Sequence, residues 1–237
     1  MQNVDILGLG VRLVGGQDVV RGLQNIQRQA NQSATQINSL TRAATGFAAA
    51  AGAISIAALR AYDSFARFEM GAKSLLGTLE GQRFAKAIQQ FAVPSAFSAD
   101  ILRKGAQGLA STGMSSGKAF DVLKAVTNLA AAGGSTNEEL SRTLLALRQI
   151  QSKGAARGEE VNQQLAEALP LLIAEVKKIS GRDPIGMKSD EFFAAVIQAG
   201  QKYESAQSNL AATSPQIAIQ NFTEAVNNSL IPTGKLL

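Results

Sequence analysis

The sequence predicts an all-α fold, a long N-terminal coiled-coil-like helix followed by a compact bundle of short helices. Three observations lead to this expectation. Alanine supplies 40 of the 237 residues, so much of the buried surface must come from small side chains on closely approaching helices. Aromatic residues make up only 5% of the chain and Trp is absent, which leaves few of the bulky residues that favour strands. Prolines stand at 94, 170, 184, 215 and 232, so the first 93 residues lack the strongest helix breaker. With 46% hydrophobic residues against 17% charged, the chain is too apolar for disorder.

Residues 1–18 read as an extended arm, in which Val4 to Val14 alternate apolar residues around Gly8 and Gly10. These glycines do not form a dinucleotide fingerprint, because Leu13 occupies the third glycine position. The N-terminus has no basic segment leading into a long apolar run, so no secretory signal is expected.

Residues 19–79 read as one long heptad-patterned helix. Val19, Leu23, Ile26, Ala30, Ser33, Ile37 and Leu40 are spaced alternately by four and three, with mostly polar residues between them. That is the apolar seam of a coiled coil. The same register runs on through Ala44, Phe47, Ala51, Ile54, Ala58, Ala61, Phe65, Phe68, Ala72, Leu75 and Leu79, and Ser33 is its single polar member. Ala43 to Leu59 is apolar nearly everywhere and reports no register, but Phe65, Phe68, Leu75 and Leu79 resume in phase after it. A straight helix drifts by about 20° per heptad from such a row, so a phase kept this long favours a supercoil. An unbroken helix over these residues would span roughly 90 Å at about 1.5 Å per residue. Gly46, Gly52, Gly71 and Gly77 mark places where it could bend.

The predicted oligomerisation seam is therefore Val19, Leu23, Ile26, Ile37, Leu40, Phe47, Ile54, Phe65, Phe68 and Leu75. Its flanks, among them Val20, Gln29, Ala34, Gln36 and Ala48, carry no charge, which suits assemblies of three or more copies. The alternative is a helix packed inside its own globular domain. The uncharged stretch Ala43 to Leu59 has Phe47, Ile54, Ile56 and Leu59 as its large side chains. A spanning helix needs about 20 predominantly apolar residues. The stretch reads better as a tightly packing small-residue helix that could later meet a bilayer.

Residues 80–181 read as a helical core domain and residues 182–237 as C-terminal helices. Ser98 can cap a helix stopping at Gly113, and Ser116 opens another stopping at Gly133 and Gly134. Ser135 to Glu138 forms a capping box before a helix that ends at Gly154. Glu159 and Glu160 lead a helix that Pro170 must interrupt, Ser189 starts another, and Ser214 with Pro215 starts the last, which ends at Leu230 before Pro232.

The chemistry available is narrow. Without Cys or His there is no thiol nucleophile, zinc ribbon or serine–histidine triad, and no catalytic, cofactor or metal site is predicted. The formal charge of +5 is spread along the chain: basic against acidic residues number seven to four in residues 1–79, twelve to nine in 80–181 and four to five in 182–237. A base-reading domain concentrates its positive charge on one face. Ala106 to Leu123 has helix-turn-helix spacing, yet its second helix offers only Lys118, Lys124 and Asp121. Glu160 and Glu167, seven residues apart, read as a solvated helix face.

From Phe68 onward the order of motifs resembles the core of phage tail tape measure proteins, over about residues 69–181. The likeness rests on Phe68-Glu69-Met70, Leu76-Gly77-Thr78-Leu79, the Pro94/Phe97 turn, Leu109 to Gly113, Leu129 to Gly134, Gln149-Ile150 with Lys153-Gly154, and above all Gly158-Glu159-Glu160-Val161-Asn162-Gln163-Gln164-Leu165-Ala166-Glu167-Ala168-Leu169-Pro170. The resemblance implies a homo-oligomer threaded in the lumen of a virion tail, made in the host cytoplasm, which determines tail length and leaves ahead of the genome. It implies as partners the tail tube protein, baseplate or tail-tip hub proteins and tail assembly chaperones, with transient contact to host membrane and phage DNA. Proteins of this kind usually continue in further helical repeats, so a short ruler or a processed form is expected. The competing reading is a cytoplasmic helical adaptor or scaffolding protein.

Overall fold

The computed structural model describes residues 60–234, which are helical almost throughout and belong to the compact unit Ala58–Leu237. The expected divisions after residues 79 and 181 separate no compact units within it. Helix α1 (60–76) stops at Gly77, whose φ of +83° turns the chain into α2 (Thr78–Ala92), so the long helix expected to reach Leu79 is broken three residues earlier. α2 then lies hard against α1. A Cβ on Gly81 would fall 2.4 Å from the backbone nitrogen of Lys73.

The next helices follow their caps. Ser98 accepts from the Ile101 N–H to start α3 (Ala99–Ala110), and Ser115 accepts from the Lys118 N–H to start α4 (Ser116–Ala132), one residue earlier than its sequence signal. The capping box of α5 (Asn137–Lys153) is also shifted. Thr136 accepts from the Glu139 N–H while the Glu139 carboxylate accepts from the Thr136 N–H at 2.7 Å. Beyond Gly154 come a π-helical turn (Glu159–Leu165), the short α6 (Ala166–Ala168), a break at Leu169 and α7 (Pro170–Ser180). The chain finishes in α8 (Ser189–Gln201), α9 (Ala206–Thr213) and α10 (Pro215–Gly234). α9 has no counterpart among the sequence signals, and α10 runs past Pro232 where a stop was expected.

α4 is the axis of the bundle. Ala119, Val122, Leu123, Ala125, Val126, Leu129 and Ala130 form one broad buried face, and Thr127, Asn128 and Ala131 carry burial round the C-terminal half, while Asp121 and Lys124 stay exposed. α8 packs on it most extensively, with α2, α3, α5, α7 and α9 completing the shell. The α4–α8 crossing is close because Gly200 has no side chain: a Cβ there would lie 2.3 Å from the Ala125 Cα. Two loops lock one end. The Ala156 N–H donates to the Met187 carbonyl at 2.9 Å and the Ser189 N–H to the Gly154 carbonyl at 2.9 Å, around an isolated bridge between Ala155 and Lys188.

Among the described residues no helix is long and apolar enough to cross a membrane. The stretch Ala43 to Leu59 lies outside them, as do the arm and the seam positions up to Ile54.

Candidate functional site

The described part of the predicted seam divides in two. Phe65 is half-buried against the core, and Phe68 is only 5% exposed, with its ring 6.4 Å from that of Phe84 on α2. Ala72 is buried beside them. Phe68 is therefore a core residue of its own domain and not free to enter a neighbouring helix. The reason is the Gly77 corner, which folds α2 back over that face of α1. Leu75 and Leu79, the next two members of the row, lie at the apex of the corner and remain 44% and 61% exposed. Val19, Leu23, Ile26, Ile37, Leu40, Phe47, Ile54, Ile56 and Leu59 lie outside the described residues.

Beside the apex runs an open groove of about 680 Å³, lined by Leu76 to Glu80, by Arg83, Phe84 and Ala87 of α2 and by Ser116, Gly117 and Phe120 of α4. Its walls are mainly apolar. The Ser116 hydroxyl donates to the Glu80 carboxylate at 2.6 Å across one side, and Phe120 is braced edge-on by Phe91 at 5.7 Å between centroids. Arg83 is the cation of the lining. Such walls suit it to holding an apolar surface.

The motif read as a solvated acidic face behaves differently. Glu160 is 0% exposed and receives a hydrogen bond from the Lys153 ammonium, while Glu159 stands 3.5 Å from the same nitrogen at the surface. Glu160 stands in the first turn of the π-helical segment and is buried there together with Val161 and Leu165. Burial pushes the Glu160 carboxyl up, but the hydrogen bond and charge of Lys153 and local backbone N–H groups pull it further down, below its ordinary value. The hydrogen bond from Lys153 to Glu160 raises the lysine in turn. Glu167, by contrast, is exposed.

A second ion pair joins α7 to α8. Lys202 donates to Glu175 at 2.7 Å and the Tyr203 hydroxyl donates to the same carboxylate at 3.3 Å, which holds Glu175 low. Between α4 and α9 runs a buried chain: the Ser95 hydroxyl donates to Gln207 at 2.8 Å, the Gln207 amide to Asn128 at 2.7 Å, and the Asn128 amide to the Gly200 carbonyl at 3.3 Å. These groups satisfy one another. Their role is to fix the packing register.

The helix-turn-helix spacing resolves into an αα-hairpin whose second helix is α4, the helix on which most of the bundle packs. Its lysines are engaged, Lys118 by Asp190 and Lys124 by Glu204 at 3.1 Å. No cluster of metal-ligating side chains occurs among the described residues. Neither a family model, nor a curated protein, nor a solved structure matches the chain.

Proposed function

We propose that the chain is a structural component of a bacteriophage or phage-like tail, a homo-oligomer inside the tail tube that acts as a tape measure and assembly element and leaves the tube to assist genome delivery. The observation that supports this most is the use made of the residues that carry the resemblance. Gly77 turns the α1–α2 corner, Lys153 and Glu160 clamp the π-helical turn, and Pro170 restarts the helix at α7. They build a helical domain, as a packing and length-setting role requires. The apolar row that continues from residue 19 to the exposed Leu75 and Leu79 supplies a means of self-association.

Mass spectrometry of purified tail particles should find this chain, and in-frame deletion within residues 24–59 should shorten tails by about 1.5 Å per residue removed. Tails of unchanged length in electron micrographs would remove the ruler role. The groove beside Leu79 favours the second reading, a cytoplasmic helical adaptor. Under that reading the protein oligomerises in cell extracts and is missing from every particle.

A further inference from the structure

Along the outer face of α5 an apolar side chain stands between two arginines: Arg142, Leu145 and Arg148 follow one another at intervals of three residues, a ladder about 9 Å long. Leu145 is 44% exposed, although Leu144 and Leu147 beside it are buried. Across a groove of about 300 Å³ the ladder faces Ile101 and Lys104 of α3. The groove is shallow because α3 and α5 approach closely at two glycines: a Cβ on Gly105 would meet the Leu144 side chain at 2.5 Å, and one on Gly108 the stem of Arg148 at 3.3 Å.

The charge on this groove has one sign. Lys104, Arg142 and Arg148 line it and no acidic side chain does. Lys104 is partnered one turn away by Asp100 at 2.7 Å, whereas the ion pairs among the described residues leave Arg142 and Arg148 unused. Elsewhere on the domain some basic residues meet acids distant in sequence, as Lys118 meets Asp190 and Lys124 meets Glu204.

The geometry points to this groove as the docking site of an acidic amphipathic helix of a partner protein. An apolar residue of that helix covers Leu145 and Ile101, and carboxylates one turn to either side reach Arg142 and Arg148. Helical spacing matches helical spacing, since residues three or four apart share a face. Nucleic acid fits less well: the lining has no aromatic ring to stack a base and no amide to read one, and an exposed leucine is not desolvated by phosphates. The inference is independent of the tail reading.

The test uses the full chain and three labelled probes: a helical peptide with Glu one turn before and after a Leu, a scrambled peptide of the same composition, and a short DNA duplex. Fluorescence anisotropy should show binding of the patterned peptide only. The double substitution Arg142→Glu with Arg148→Glu should weaken it about tenfold or more, and Leu145→Ser should weaken it comparably. These positions are exposed, and unchanged thermal melts will show that the variants fold. Failure of the patterned peptide to bind, or equal binding of the scrambled one, overturns the proposal. So does tighter binding of the duplex through the same arginines, or concentration-dependent self-association in sedimentation that Leu145→Ser abolishes.

Discussion

Two helix pairs use the same device to different ends. At the α4–α8 crossing Gly200 lies against Ala125, and at the α1–α2 corner Gly81 lies against the backbone of Ala72 and Lys73. In both, a missing side chain lets backbones touch. Around Gly200 everything is enclosed: Leu123, Val126, Leu129, Phe192 and Val196 are fully buried. Around Gly81 the contact lies at the rim, with Leu75 and Leu79 left open to solvent and a groove beside them. Close packing is thus not itself a sign of the protein's centre. What separates the pairs is whether the apolar surface beside the contact is used up within the domain or left to be covered by something else.

The largest expected effect lies at the centre. Leu123→Ala should cost about 2–5 kcal/mol in a urea titration, since the void it leaves is walled by helices on all sides. Next, Gly200→Ala should destabilise by about 1–3 kcal/mol through overpacking, and by more than Gly81→Ala, because the corner can open outward and the central crossing cannot. Equal losses at the two glycines would erase the distinction between the regions.

The pH dependence comes from groups outside both pairs. The carboxyls of Glu139, Glu160, Glu175 and Asp190 are held below their ordinary values by their hydrogen-bond donors or ion-pair partners. Their contribution is therefore complete above about pH 5 and is lost as the pH falls through the lowered values. In Lys153→Met, Glu160 keeps only its local backbone N–H groups against the effect of burial, so its pKa should rise and the decline in stability below about pH 5 should flatten. A slope identical to that of the parent would show that Lys153 does not set the state of Glu160. The smallest effect on stability is expected from Leu79→Ser, within about 0.5 kcal/mol as for other exposed positions. If the apex is an interface, that same change should lower the association state in sedimentation.

The helix boundaries after Pro94 were legible because caps and stops are local. Ser98, Gly113, Gly134, Gly154 and Pro170 act through backbone hydrogen bonds and φ preferences that need no distant partner. The cap positions of α4 and α5 slipped by one residue where neighbouring Ser or Thr could each serve, while α8 starts at Ser189 as expected but without a side-chain cap. α9 was not legible: its sequence, Ala-Gln-Ser-Asn-Leu-Ala-Ala-Thr, has no apolar stripe, and the helix is held by Gln207 in the buried polar chain and by Leu210 against the core. Nor was the burial of Glu160, since two adjacent acids at a helix start ordinarily face water. The pointer was Lys153, seven residues before it, and the turn at Gly154 between the two segments brings them together.

The row through Phe65, Phe68 and Ala72 shows a different limit. Over two heptads a coiled-coil period and a plain amphipathic period are nearly the same, and neither says whose side chains cover the row. Here α2 of the same domain covers it as far as Ala72. Of the candidate interaction sites, the seam was readable as a pattern. The α3–α5 groove was not, because Arg142, Leu145 and Arg148 acquire a common face with Lys104 only when two helices separated by a third are laid side by side.

The chain of hydrogen bonds from Ser95 through Gln207 to Asn128 reaches across 112 residues of sequence. A ribosome releases the first and third of these groups well before the second. Until Gln207 emerges, the Ser95 hydroxyl proton and the Asn128 amide oxygen have only water to satisfy them, and the α4 face that carries Asn128 cannot be sealed without a penalty. The domain therefore closes from its late end: a nascent chain stopped short of α9 holds most of the helices but not the bond that joins the turn before α3 to the centre of the bundle.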